Sequence, residues 1–353
     1  MDLAALQHNF KRVSDFAPHL KIMAVIKADG YGHGILRVAK SLSKADAFAV
    51  ASTEEGLILR NAGINKPIFL LTGFHRGDEL SDIQKYDLTP VIHNHEQLSI
   101  LADRKKTTDT DKVLNIWCKL DTGMHRVGFD PDDIATVQKK ITDVQNVNLS
   151  GIMSHLANAD NVQDNKTDQQ ISLFKKCTKS KSLEKSLANS AGIVAWQKSH
   201  FDWLRPGIML FGSSPLLDKS AADLDLLPVM TLESEIINIK KLRKHETIGY
   251  GGDWTCPEDM SVAVVAIGYG DGYPRSATTG TPVAINGKRS QVLGRVSMDM
   301  ITVDLRGIDN ARVGDPVELW GQNIPIDEIA MLCNTIAYEL MCQVTPRVPR
   351  ISR

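Results

Sequence analysis

The feature that most constrains the fold is an alternation. Eight short runs read as strands, at 22–26, 46–50, 67–71, 89–92, 114–120, 149–155, 184–189 and 203–207, the last two more weakly than the rest. Segments with helical periodicity lie between them, among them 34–44, 52–63, 94–106 and 132–143. Parallel neighbours need a helical crossover, so strand–helix alternation argues for a parallel sheet. Eight such units in about 200 residues suit a TIM-like (β/α)8 barrel. A doubly wound open sheet is the alternative. An amphipathic helix beginning at Asp2 precedes the first strand.

The pattern changes near Leu227. The runs 229–242, 262–270, 281–287, 290–305 and 315–321 are β-rich, closely spaced and punctuated by turns such as Asn286-Gly287-Lys288. Only 325–334 reads as helical. The expectation is an α/β barrel domain over 1–220 and a mainly β domain over 228–353.

Composition removes several function classes. The formal charge of -1 offers no basic field for nucleic acid or an anionic membrane surface. No apolar run approaches the ~18 residues of a membrane span, and the N-terminus lacks the pattern of a signal peptide. The five cysteines sit far apart, with no C-x-x-C pair and no metal-ligand spacing, which reads as reduced thiols in a cytoplasmic protein without a metal.

Chemistry in a β/α barrel lies at the C-terminal strand ends. Lys27 comes directly after the first run. An amine at that dry rim loses charge and becomes a nucleophile able to form a Schiff base with an aldehyde. Gly30, Gly32 and Gly34 permit a flexible loop close to a ligand, and Tyr31 offers a hydroxyl to a phosphate. The same residues also fit a surface lysine before an ordinary loop. No Walker loop is present, and "GYGHG" is no dinucleotide fingerprint. Asp121-Thr122-Gly123 also opens aspartic-protease sites, but Met124 stands where Ser or Thr belongs and there is no second copy. His93-Asn94-His95 begins a helical stretch with no third metal ligand apparent and reads as polar residues facing solvent.

The segments "AVIKADGYGHG" (24–34), "KLDTGMHRVGF" (119–129), "SHLANAD" (154–160), "NSA" (189–191), "RPGIMLFG" (205–212), "GYGGDW" (249–254), "AIGYGDGYPR" (266–275), "GRVSMDM" (294–300) and "YEL…PRVPR" (338–350) occur in one order across nearly the whole chain. In that order they resemble the alanine racemase family. The resemblance implies a pyridoxal-phosphate (PLP) enzyme that interconverts L- and D-alanine and supplies D-alanine for peptidoglycan. It also implies an α/β barrel followed by a β domain.

Residue by residue, the resemblance makes Lys27 the Schiff-base lysine and one of two catalytic acid/bases. Tyr250 would be the other, acting on the opposite face and across a homodimer interface. Tyr31, Tyr338, Ser190, Gly207 and Ile208 would hold the phosphate. Arg205 would contact the pyridine nitrogen, donating a hydrogen bond but no proton, because its pKa lies far above that of pyridinium. His155 and Arg205 would supply the cationic surroundings of Tyr250. Arg126 and Met298 would meet the substrate carboxylate, and Tyr269, Arg275 and Arg295 would narrow the entrance. Lys119 alternates with Asn115 and Trp117; if that face points inward, a buried amine must be paired or neutral. Some family members carry a carbamylated lysine there, which orients the arginine corresponding to Arg126.

The chain departs from the family pattern at Asp29 and Gly30, usually Asn and Ala, and at His125, commonly Gly. The short strand that usually precedes the first helix is missing, which puts the packing of the β domain in doubt. A racemase of other specificity, such as serine, or a barrel-type PLP decarboxylase remains open. A non-catalytic PLP carrier would lack the β domain, and the segments 249–254 and 294–300 argue against it.

Overall fold

The computed structural model describes residues 1–103, 113–179 and 183–352. It forms two compact units: a barrel unit of residues 6–30 and 34–226, and a β unit of residues 227–353 joined by 1–5 and 31–33.

In the barrel unit, β1 (Lys21–Val25), β2 (Ala47–Val50), β3 (Ile68–Leu70), β4 (Leu88–Ile92), β5 (Leu114–Lys119), β6 (Val147–Met153), β7 (Glu184–Asn189) and β8 (Trp203–Arg205) pair in sequence order. All pairs are parallel, and β8 closes on β1 with Lys21 opposite Trp203. The closed barrel replaces the open-sheet alternative. Every expected strand is present, several shortened. The eighth stops at Arg205 because Pro206 has no N–H to continue the ladder. The helix Thr53–Asn61 starts on a Ser52 cap that accepts the Glu55 N–H. The helix His95–Ala102 starts on Asn94, which accepts the Gln97 N–H. Asn94 of the His93-Asn94-His95 stretch is therefore a helix cap. The His95 ring rests edge-on against Phe129 at 5.4 Å, and His93 Nε2 lies 3.0 Å from the Thr72 carbonyl. The last residues of the expected helix 94–106 lie outside the described residues.

The rings of Phe69, Trp117 and Trp203 meet edge-on, with centroids 5.2 to 6.4 Å apart. They come from β3, β5 and β8, which are not neighbours, so they meet inside the barrel. Side chains two apart on a strand share a face. Lys119 and Arg205 therefore form the next interior layer, toward the C-terminal mouth. An apolar plug below a cationic rim is the consequence of two strand sequences, Trp117-x-Lys119 and Trp203-x-Arg205.

The β unit is built on an antiparallel closed barrel in the order β12-β15-β14-β13-β16-β9. Its strands are β9 (Leu232–Leu242), β12 (Met260–Val265), β13 (Pro282–Ile285), β14 (Lys288–Leu293), β15 (Ile301–Asp304) and β16 (Pro316–Trp320). Asn286 and Gly287, at φ 50° and 75°, make the two-residue turn between β13 and β14. A separate ribbon pairs β10 (Thr247–Ile248) with β11 (Trp254–Thr255). Ile248 and Trp254 pack with Cys256, Met260, Val262 and Leu293, which seats the ribbon on the unit.

Two expectations need correction here. The run 290–305 is not continuous; residues 294–300 form a loop between β14 and β15. A second helix, Ala337–Gln343, comes after Ile326–Leu332. With seven residues it makes two turns, too few to show a period in sequence. At the N-terminus, the Asp2 N–H bonds to the Val229 carbonyl at 2.9 Å, and its carboxylate caps the helix Leu3–Phe16 through the Ala5 N–H.

Candidate active site

Lys27 stands two residues beyond β1, as the sequence implied. The segment after it is not a loose loop. Ala28 (φ 52°, ψ 54°), Asp29 (53°, 44°) and Gly30 (64°, 44°) are left-handed, and Tyr31 continues at φ 52°. Each non-glycine residue in that conformation costs roughly 1–2 kcal/mol. The turn is tied by hydrogen bonds: Gly30 N–H to Ile26 O (2.9 Å), Gly34 N–H to Asp29 O (2.8 Å) and Ile35 N–H to Asp29 Oδ1 (2.8 Å). Glu55 adds a carboxylate, accepting the Ala28 N–H at 2.6 Å and the Ala51 N–H at 2.8 Å. The glycine spacing in the sequence reads as freedom, whereas the structure uses it for a fixed left-handed turn.

Around Lys27 the rim is cationic. Lys119 is only 8% exposed. Burial, reinforced by Arg205, Arg126 and Lys27, pushes its amine down to about 7. Arg205 is buried and pulled down to about 10, so it stays charged at neutral pH. Its Nη groups donate to Ser186 Oγ and to the Ser154 and Leu187 carbonyls, while its Nε–H finds no acceptor among the described residues. His155 Nδ1 lies 3.5 Å from Arg205 Nη2. Burial, then the charges of Arg205, Lys119, Arg126 and Lys27, holds His155 well below its ordinary value. Burial and these charges oppose protonation of His155, whereas Arg205 keeps its charge.

Arg126 is exposed on a loop closed at its base, where Asp121 N–H bonds to Phe129 O and Phe129 N–H to Lys119 O. Asp121 organises that loop. Its Oδ1 accepts the N–H groups of Gly123, Met124 and His125 at 2.9 to 3.1 Å. Burial opposes ionisation, but these donors and the nearby His125 hold the carboxyl below its ordinary value. In the sequence Asp121 reads only as part of a protease-like signal. The signal that could have found it is an Asp two residues before a Gly, ahead of an Arg, the mark of a carboxylate-wrapped turn.

Phosphate-binding candidates occur in both units. In the barrel unit, Ser190 opens the short helix Ser190–Ala195 after β7, and its Oγ accepts the Gly207 N–H at 2.9 Å. Ile208 begins the next turn, of 3₁₀ helix. In the β unit, Tyr31 is buried and tilts against the half-exposed Tyr338 at 5.9 Å. Burial, with Tyr338 and Cys342 beside it, raises the Tyr31 hydroxyl above its ordinary range. Gly32 is required there, since a Cβ would stand 2.1 Å from the Met341 carbonyl oxygen.

Tyr250 sits at the tip of the β10–β11 ribbon, flanked by Gly249, Gly251 and Gly252 at positive φ, and is 69% exposed. Arg295 ion-pairs with Asp253 of the same loop. Elsewhere in the β unit, Tyr269 N–H bonds to Ser297 O and Gly270 N–H to Met298 O, which places Tyr269 beside Met298. Arg275 is exposed and makes no ion pair with a described residue.

Known proteins resemble this chain over its whole length. The family model for the alanine racemase N-terminal domain matches residues 1–215, and that for the C-terminal domain matches 229–352. An alanine racemase of Nitrosococcus oceani is 48% identical over 351 residues, covering 99% of this chain and 97% of the relative. The crystal structure of the biosynthetic alanine racemase from Pseudomonas aeruginosa superposes with a TM-score of 0.96 at 41% identity, over 100% of this chain and 98% of that one. That of the alanine racemase from Acinetobacter baumannii gives 0.91 at 37% identity, over 100% and 98%. The chain belongs to the alanine racemase family.

Proposed function

We propose that this chain interconverts L- and D-alanine at the mouth of its parallel barrel, supplying D-alanine for peptidoglycan, with Lys27 and Tyr250 as its two proton carriers. One observation carries the reading: Lys27, Lys119, His155, Ser190 and Arg205 end five strands of one barrel at one rim, with an aromatic plug beneath.

The family's PLP fits these residues. Arg205 Nε–H is an open donor for a ring nitrogen. Ser190, with the Gly207 and Ile208 backbone, suits a phosphate anion, as does the Tyr31–Tyr338 pair of the β unit. When bound, PLP supplies an aldehyde for an amine to join and a ring that draws electrons from the substrate α-carbon. The protein's own groups do the rest. Lys27 moves a proton on one face of the substrate. Tyr250 moves one on the other. Arg205 stays protonated, donating a hydrogen bond without a proton, which limits electron withdrawal and favours return of the proton to the α-carbon. Arg126 meets the substrate carboxylate, with the Met298 backbone assisting. Tyr269, Arg275 and Arg295 shape the entrance.

Tyr250 projects far into solvent from its ribbon, which suits insertion into a second copy; we take the active form to be a homodimer. Lys119, near neutrality among cations, suits carbamylation: the neutral amine adds to CO2, its proton passes to water, and the resulting anion would orient Arg126. We place the protein in the cytoplasm. None of the five cysteines is in a disulfide, and no helix among the described residues is long and apolar enough to cross a membrane. The test is D-alanine formation from L-alanine, and the reverse, by PLP-loaded protein. Bound PLP without turnover of alanine would overturn the reading.

A further inference from the structure

We propose that Glu55 is a positioning residue for Lys27, a carboxylate that locks the left-handed turn through which the barrel presents its active amine; the role in turnover rests on Lys27 being the cofactor lysine. The positive-φ run begins one residue after Lys27 and extends to Gly32, and three of its five members, Ala28, Asp29 and Tyr31, carry side chains. A conformation of that cost persists only where the surroundings over-determine it. Most ties within the turn come from its own neighbourhood: Ile26, Asp29, Gly34 and Ile35. Glu55 is a tie from elsewhere in the barrel unit. It lies on the helix after β2, and its two oxygens hold backbone N–H groups beyond two different strands, Ala28 after β1 and Ala51 after β2. It fixes the residue after Lys27 against the neighbouring strand.

The helix that carries Glu55 is itself fixed at this end. Ser52 Oγ receives the Glu55 N–H, and Thr53 Oγ1 donates to Glu79 Oε2 at 2.7 Å. The Ala51 carbonyl also accepts Thr72 Oγ1. Glu55 thus transmits the position of β2, β3 and their helices to the Lys27 turn. Charge-assisted bonds from backbone N–H to carboxylate are about twice as strong as neutral ones. Glutamine can keep one of the two bonds, and alanine neither.

The experiment uses the full chain, with and without PLP. Hydrogen exchange is measured at the amides of 28–31 in wild type, Glu55→Ala and Glu55→Gln. In Glu55→Ala we expect exchange there to rise roughly 10- to 100-fold, kcat to fall over a similar range with KM for alanine changed less than threefold, and weaker PLP retention in dialysis. Glu55→Gln should lie between, and serves if the alanine variant fails to fold. Ser52→Ala weakens the same helix start but leaves the Ala28 acceptor in place. Unchanged exchange at 28–31 in both Glu55 variants, or an equal loss of kcat and PLP in Ser52→Ala, overturns the proposal. Borohydride trapping of PLP on the wild type, with peptide mapping, tests the underlying reading separately. A label away from Lys27 would sink that reading, while exchange at 28–31 still decides whether Glu55 holds the turn.

Discussion

The two proposed proton carriers live in opposite surroundings. Lys27 stands at a rim where Lys119 and Arg205 are buried and charge-shifted, and the backbone after it is locked. Tyr250 is a largely exposed ring on a glycine-flanked ribbon tip. A barrel interior can desolvate an amine and tune it. A ribbon tip can only present a side chain, and its chemistry must come from whatever it enters. On the proposed reading the barrel unit prepares the chemistry around Lys27, and the ribbon of the β unit presents Tyr250 to a second copy.

Removing each carrier puts that contrast under the most stress. Lys27→Ala and Tyr250→Phe should each lower racemisation by roughly 10²–10⁴-fold in steady-state assays, as loss of an acid/base group does. Their fates should differ. Lys27→Ala should lose the borohydride-trapped cofactor, whereas Tyr250→Phe should keep it. If Tyr250 acts in a second copy, mixing the two dead proteins after subunit exchange should restore about a quarter of wild-type activity, through mixed dimers with one intact site. No recovery in demonstrably mixed dimers would place both carriers in one chain.

Most of this architecture was legible in the sequence because the barrel writes itself in period. Eight apolar runs separated by helical patterns have few other solutions. Lys27, His155 and Arg205 were placed at strand ends by the same logic. Their electrostatic state was not legible. Whether His155 is charged depends on Arg205 and Lys119 from two other strands, which no local window brings together. The left-handed turn was hidden because Ala28, Asp29 and Tyr31 are ordinary residues in an unusual conformation held by Glu55, 27 positions after Ala28. The helix Ala337–Gln343 was too short to announce itself, and its Tyr338 was placed by family resemblance alone.

The Lys119 amine gives a second measure of how the rim tunes charge. Its value in the folded chain, about 7, lies below the ordinary 10.5. Between these limits the unfolded chain holds the proton that the folded chain sheds. Stability should therefore rise with pH through that window, and the lysine should be a liability below it. The span corresponds to an upper bound on the order of 5 kcal/mol. Denaturant melts of wild type and Lys119→Met at pH 6 and pH 9, in CO2-free buffer, should show wild type gaining relative to the variant as pH rises. Carbon-13 NMR with labelled bicarbonate then asks whether the neutral amine is taken up as a carbamate. No carbamate signal in an active preparation removes the proposed modification but leaves the pH effect standing.

Milder changes separate the two units as materials, through two glycines needed for opposite reasons. Gly151, on β6, has an ordinary φ, but a Cβ there would stand 2.1 Å from Cε2 of Trp117. Gly151→Ala must displace the aromatic plug beneath Lys119 and Arg205, at a cost of roughly 1–3 kcal/mol. It should also lower kcat, because the cationic layer rests on that plug. Gly287, in the β13–β14 turn, has open space around it and φ of 75°. Gly287→Ala meets only backbone strain, about 1–2 kcal/mol, and kcat should stay at the wild-type value. Urea melts give the two stabilities, and kcat at matched folded fraction gives the coupling. If both variants lose stability but neither loses kcat, the Trp117 plug does not set the geometry of the rim, and Lys119 and Arg205 are held by their own hydrogen bonds and strand ends.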